Sequence, residues 1–377
     1  MLNTKRPYLV LPKLILQPTW GGNYILNMKG WQNNNSLKNK KIGQSYELFT
    51  QTKLLTTITS SQNKNFTPEL GSPNSDKIYN QLPYKKGVEF ITLEQITSFY
   101  KKIPLIKLTQ SIGNSFQIHI KEGVKSNRWR SKPESWYYLE DGLITFGIKR
   151  NISLVDYKKS CQIIDEKMKQ LSRMIETKKI SLAAAKKNAR AFIKKVYPWR
   201  FVNLHKIKKF SVVNSSLGGI HHSWEEDFEK YPLGNVLYEI QKDVMDPIST
   251  IRSFDKGKFK PNGSIREIHI QDYFKLLDTN PDHNDLEKIS PEKKGNRLIT
   301  NKYYCLDILE INKLKTDKTH NSFVHLFVRD GEIEVAAGEG KVLLTRGHSC
   351  FIPEIISEYI IKSINNKAVV LKTFIET

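Results

Sequence analysis

The sequence predicts a mainly β protein, two jelly-roll β-barrel domains with a helical segment inserted into the first. Three observations predict it. Short alternating runs broken by Gly, Asn and Pro fill residues 1 to 150. A three-to-four-residue apolar period then begins at Ser153, and alternating runs return from Phe201 and again near the C-terminus. Period two marks strands, period 3.6 marks helices, and many short strands with regularly placed turns mark a barrel or jelly roll.

Taken in order, the first stretch reads as strands joined by long loops. Gln51 to Lys86 is an expected irregular excursion, because Pro68, Gly71, Ser72, Pro73 and Asn74 crowd together there. Leu154, Tyr157, Cys161, Ile164, Met168, Leu171 and Ile175 then define one helical stripe, and Ser153 with Asp156 three residues on resembles a capping box. A second helix is predicted from Ser181 to Val196, stopped by Pro198. The stripe is too short for a sustained coiled coil, so the two helices are expected to pack on the β core. Strands resume to about Tyr273, a polar linker follows from Asp278 to Asn296, and a last β unit contains Phe323 to Val328, an Asp330-Gly331 turn, Glu332 to Ala337, Lys341 to Thr345, Ser349 to Ile352 and Val369 to Ile375. The implied organisation is a discontinuous first domain, 1–152 plus 198–277, an inserted helical segment, 153–197, and a C-terminal domain, 297–377.

Composition narrows the function. With 377 residues, 39% of them hydrophobic, the chain can fill real cores. Sixty Lys and Arg against 38 Asp and Glu give a formal charge of +22, which attracts anions. The basic residues are scattered, no block of five or six occurs, and no nucleic-acid motif is visible, so nucleic-acid binding is disfavoured. No run of eighteen apolar residues predicts a membrane span. Cys161, Cys305 and Cys350 are odd in number and far apart, which fits a reducing cytoplasm better than a disulfide framework.

Chemistry concentrates in three places. In Ser115-Phe116-Gln117-Ile118-His119-Ile120, a strand puts Ser115, Gln117 and His119 on one face and apolar residues on the other. Inside a barrel that polar face needs a partner such as a metal or a sugar, because unpaired polar groups are costly to bury. Lys132, Glu134 and Trp136 alternate in the same way, and Glu134 can offer an oxygen to a metal held by His119. Catalytic zinc takes about three protein ligands and an open position. The candidate for a further imidazole lies in Gly218-Gly219-Ile220-His221-His222, where the two adjacent histidines leave the choice open by one residue.

In this order the three segments resemble the type I mannose-6-phosphate isomerases of the cupin superfamily, in which a Gln-x-His strand, a Lys-x-Glu-x-Trp-Tyr strand and a Gly-x-Ile-His turn surround one zinc. Further segments extend the resemblance over residues 7–275: Trp20-Gly21-Gly22 after Thr19, Gly43-Gln44-Ser45-Tyr46-Glu47, Glu239-Ile240-Gln241, Arg252-Ser253-Phe254-Asp255 and Arg266-Glu267-Ile268-His269. Gln44 and Tyr46 replace the family's Glu and Trp, and the segment between Gln241 and Arg252 is longer than usual. Gly347 and Pro353 have the spacing of a cupin strand turn without a following histidine, which implies a metal-free second cupin barrel.

The resemblance implies a zinc-dependent isomerase that interconverts mannose 6-phosphate and fructose 6-phosphate through a cis-enediol. It implies Gln117, His119, Glu134 and His221 as zinc ligands and Arg252 as the cation that stabilises oxyanion charge. Ser115, Lys132 and Arg252 are the expected substrate contacts, with Lys132 also a proton-transfer candidate if burial beside cations lowers its pKa. The expected partner is a small sugar phosphate and the expected state a monomer or homodimer. The competing expectation is a noncatalytic cupin that binds a sugar phosphate.

Overall fold

The computed structural model describes residues 5–17, 20–63, 66, 68–71, 89–290 and 294–376. It is mainly β, with a cupin-type fold and an inserted helical segment. Three sheets carry the architecture. A five-stranded sheet runs in the order Val202–Ile207, Gly142–Ile148, His222–Trp224, Phe116–Ile118, Ile251–Phe254. A seven-stranded sheet contains Val212–Asn214, Glu134–Tyr138, Asn235–Gln241, Leu105–Ser111, Ile42–Leu48, Lys13–Leu16 and Glu69–Gly71. The two present facing polar rows to each other, and the candidate site lies between them.

The ten-stranded sheet is built on two long partners, Cys305–Lys318 and Glu358–Phe374, paired from Cys305↔Phe374 to Lys318↔Glu358 with one register shift near Asn312. Val324–Asp330 and Ser349–Ile352 follow in it, and the hairpin of Glu332–Ala337 and Gly340–Thr345 is attached at its side. Arg297–Thr300 beside Cys305–Lys318 and the N-terminal strands Tyr8–Leu11, Lys53–Leu55 and Phe90–Thr92 complete it, with Tyr8 opposite Phe351. Only Pro12 separates Tyr8–Leu11 in this sheet from Lys13–Leu16 in the seven-stranded one.

The back of the seven-stranded sheet packs on the ten-stranded one in a continuous apolar core that includes Leu14, Leu48, Ile106 and Leu108 with Leu326 and Phe351. Polar groups cross the same layer mostly in pairs, as burial requires. The Lys29 ammonium lies 2.8 Å from a Glu47 oxygen and also donates to the Gly347 carbonyl. Ser45 and Ser349 donate to the same carboxylate at 2.6 and 3.2 Å. The Tyr238 hydroxyl meets His325 Nδ1 at 3.3 Å and Thr373 at 3.1 Å.

The helical insertion covers the outer apolar face of the five-stranded sheet. Helix Leu154–Glu176 starts where the Ser153 hydroxyl accepts from the Asp156 amide, and it buries Tyr157, Cys161, Ile164, Met168 and Leu171. Helix Leu182–Val196 adds Ala185, Ala189 and Ile193. Together they close over Phe116, Ile118, Ile251 and Phe254. The pair therefore packs on the β core, as its short apolar stripe requires.

Several expected elements differ in extent. The strand expected over Ser115 to Ile120 is Phe116–Ile118, and the final strand begins at Glu358 rather than Val369. Cys305–Lys318 has no counterpart in the sequence reading, because most of its second half alternates among exposed and half-exposed charged residues and reads as a loop. Helix Tyr24–Met28 and the turn of helix Leu286–Ile289 occupy stretches read as irregular. The excursion at 51–86 holds the short strands Lys53–Leu55 and Glu69–Gly71, and its remainder from 72 lies outside the described residues, as does Thr19.

Ile164 is buried under the insertion while its neighbour Ile163 is 37% exposed. Ile164→Ala is expected to cost about 2–5 kcal/mol, seen as a lower denaturant midpoint, whereas Ile163→Ala should move the midpoint little.

Candidate metal centre

The site follows from strand pairing. Residues directly opposite each other in neighbouring strands share a face of the sheet. Gln117 is opposite His222 on one side and Arg252 on the other, so these three form a row, and His119 lies on the same face two residues further on. From the other sheet, Glu134 opens its strand opposite Gln241.

His119, Glu134 and His222 bring one ligand atom each to within 4.8 Å of one another and form the one such group of His, Cys, Asp or Glu donors among the described residues. His119 Nε2 is 3.2 Å from one Glu134 oxygen, and His222 Nε2 is 3.6 Å from the other. All three residues are buried. The His119 Nδ1 faces the Ser249 carbonyl at 2.6 Å. A carbonyl can only accept, so Nδ1 carries the proton and Nε2 turns a lone pair inward, the arrangement that orients metal-ligating histidines.

Neither Nε2 has a hydrogen-bond partner, nor does either ring nitrogen of His222. Burial holds the His222 pKa down to about 3, against the opposing pull of Glu134, so the ring is neutral and able to coordinate. Glu134 is also penalised by burial, yet His119, Lys132 and His222 hold its carboxyl well below the usual range, so it is anionic. Two imidazoles and a carboxylate, buried together with both inward Nε2 atoms lacking a hydrogen-bond partner among the described residues, fit a divalent cation.

His221 is not part of this group. The register that sets His222 opposite Gln117 turns the preceding side chain to the other face, where the His221 ring meets Phe116 edge-on at 4.4 Å and lies near Tyr157 and Tyr273. Strand alternation thus brings His222, and not the expected His221, into this group. Gln117 shares the inward face, and its Oε1 accepts from the Ser115 hydroxyl at 2.7 Å. Arg252 is half-buried; its backbone amide donates to His269 Nδ1 at 3.2 Å, while its Nε has no partner.

Lys132 behaves differently from the expectation. Burial pulls its pKa down, but Asp246 at 2.9 Å and Glu134 at 3.4 Å outweigh that, and the ammonium stays above the usual lysine range. The residue therefore keeps its proton. Beside it, Lys107 pairs with Glu239 at 3.2 Å, and Thr109 donates to the same carboxylate at 2.9 Å. Asp246, Lys107 and Glu239 were not singled out as site residues from sequence. The usable signal was the polar alternation of Lys107, Thr109 and Ser111 within Leu105–Ser111. Partly open Gln117 and Arg252 and exposed Asp246 mark the side from which solvent reaches the centre.

Comparison with known proteins now bears on this geometry. Residues 294–372 match the family model described as mannose-6-phosphate isomerase, cupin domain. No relative was found among curated protein sequences. Among solved structures, mannose 6-phosphate isomerase from Bacillus subtilis is similar at a TM-score of 0.61 and 15% identity, covering 98% of this chain and 99% of that one. An arginine-to-alanine variant of phosphomannose isomerase from Salmonella typhimurium gives 0.61 and 13%, covering 99% and 100%. A zinc-bound holo mannose 6-phosphate isomerase gives 0.60 and 13%, covering 98% and 100%. No helix among the described residues is long and apolar enough to cross a membrane. The fold is that of these isomerases, and the family-model match falls in the C-terminal part of the chain.

Measured by elemental analysis after zinc loading and desalting, wild type is expected to retain close to one ion per chain. His222→Ala should lose it and His221→Ala should keep it.

Proposed function

We propose that the chain is a type I mannose-6-phosphate isomerase of the cupin superfamily, an aldose-ketose isomerase that interconverts mannose 6-phosphate and fructose 6-phosphate through a cis-enediol. The observation that carries the reading is the buried, unsatisfied His119-Glu134-His222 group with Gln117 and Arg252 in adjoining paired positions.

In this reading His119, Glu134 and His222 hold zinc, with Gln117 as a further ligand. Zinc bound there supplies Lewis-acid polarisation of the sugar oxygens. Arg252 brings a guanidinium to the same face, where it stabilises negative charge as it develops on those oxygens. Its unpaired Nε is a donor held ready rather than spent on the protein.

Lys132 serves as a fixed cation. Two carboxylates hold its proton in place, so it binds and orients an anionic or hydroxyl group of the substrate and does not act as the resting base. Ser115 orients Gln117 through its hydroxyl and can turn to a phosphate oxygen when substrate enters. Lys132, Arg252 and Ser115 together offer the donors that a phosphate with nearly two negative charges requires. The three cysteines are free and buried, in keeping with a cytoplasmic setting.

Zinc-loaded protein supplied with fructose 6-phosphate is expected to form mannose 6-phosphate. Arg252→Ala should lower kcat by about 10²–10³-fold with a smaller change in KM. Sugar phosphate binding without turnover in wild type would overturn the isomerase reading in favour of a noncatalytic cupin.

A further inference from the structure

Basic residues are scattered along the whole chain, but the acidic ones are not. Residues 177–224 contain eleven Lys and Arg and no Asp or Glu, so these 48 residues supply half of the net charge of +22. A general enrichment in lysine does not produce this, because it does not remove acids. The inserted helices provide an internal control. Helix Leu154–Glu176 mixes five basic with four acidic residues, whereas helix Leu182–Val196 has Lys186, Lys187, Arg190, Lys194 and Lys195 and no acid.

All five of those side chains are exposed, and none has a carboxylate within ion-pair distance among the described residues. The apolar stripe of the same helix, Ala185, Ala189 and Ile193, is used up against the rest of the insertion. Like charges three and four residues apart destabilise an isolated helix. Here they are retained on a face that no carboxylate of the described residues neutralises, which calls for an anionic partner.

We propose that the solvent face of helix Leu182–Val196 is a contact surface for the phosphate backbone of duplex nucleic acid, read without regard to sequence. Fifteen residues at 1.5 Å rise span roughly 22 Å, long enough for several phosphates of one duplex. The fully exposed residues that share this face with the basic ones are Ala183, Asn188 and Ala191, small or polar side chains, while Phe192 is half-buried, so the face offers little to insert into a lipid layer and differs from a membrane-binding amphipathic helix. Exposed Tyr197 and Arg200 continue the basic and aromatic character past the helix end. The surface lies on the helical insertion, on the far side of the five-stranded sheet from the metal centre, and stands independently of the isomerase reading.

The test is fluorescence anisotropy of a labelled duplex of about twenty base pairs titrated with the full chain across a salt series. Five phosphate contacts give a log-log salt slope of about −4.5. The triple variant Lys187→Glu, Arg190→Glu, Lys194→Glu should bind at least tenfold more weakly with a slope shallower by about 3. Circular dichroism checks that it remains folded, which these exposed, helix-compatible substitutions allow. Lys167→Glu with Lys169→Glu on the mixed-sign helix should leave binding unchanged. No duplex binding at about 50 mM salt, unchanged affinity in the triple variant, or displacement by polyglutamate at equal charge concentration would each overturn the proposal.

Discussion

A carboxylate cannot stay charged in a dry barrel without cations around it, and Glu134 sets the terms for everything nearby. It sits between His119 and His222 with the Lys132 ammonium at 3.4 Å. Removing Lys132 leaves an uncompensated buried charge, an outcome that costs several kcal/mol. The neighbouring pair of Lys107 and Glu239 repeats the same constraint one row deeper. The interior of this barrel is thus organised by charge neutrality, and its apolar packing is displaced to the outer faces, onto the helical insertion and the second barrel.

That displacement explains why the two sheets outside the site are so apolar. The five-stranded sheet shows His222, Gln117 and Arg252 inward and Phe116, Ile118 and Phe254 outward. The outward residues need a cover, and the helices from 153 to 197 supply it. The seven-stranded sheet does the same with Ile106, Leu108 and Tyr238 against the ten-stranded one. A site that must be polar on one side makes hydrophobic partners compulsory on the other.

How much of this was legible in the sequence follows from which contacts are local. Alternation within one segment identified the faces carrying His119 and Glu134, and the helical period with its Ser153 cap identified the insertion. The choice between His221 and His222 was not legible, since one residue of register depends on pairing with Gln117, about a hundred positions away. Asp246 was hidden for a related reason: it matters only because a loop brings it to Lys132. The long strand Cys305–Lys318 escaped notice because its exposed half carries charges on both faces, which erases the period on which strand recognition depends, and of Glu358–Phe374 only the stretch from Val369 was read as strand.

The crossing at Pro12 has a bearing on biogenesis. Tyr8–Leu11 leaves the ribosome long before its partner Ser349–Ile352, because the whole stretch between them must be made first. Until then an early strand with all four residues destined for burial has one edge bare, and closure over so long a chain separation is slow. The nascent chain is therefore open to wrong partners while the intervening residues are made, and a chaperone that shields the edge of Tyr8–Leu11 would act where this topology is weakest.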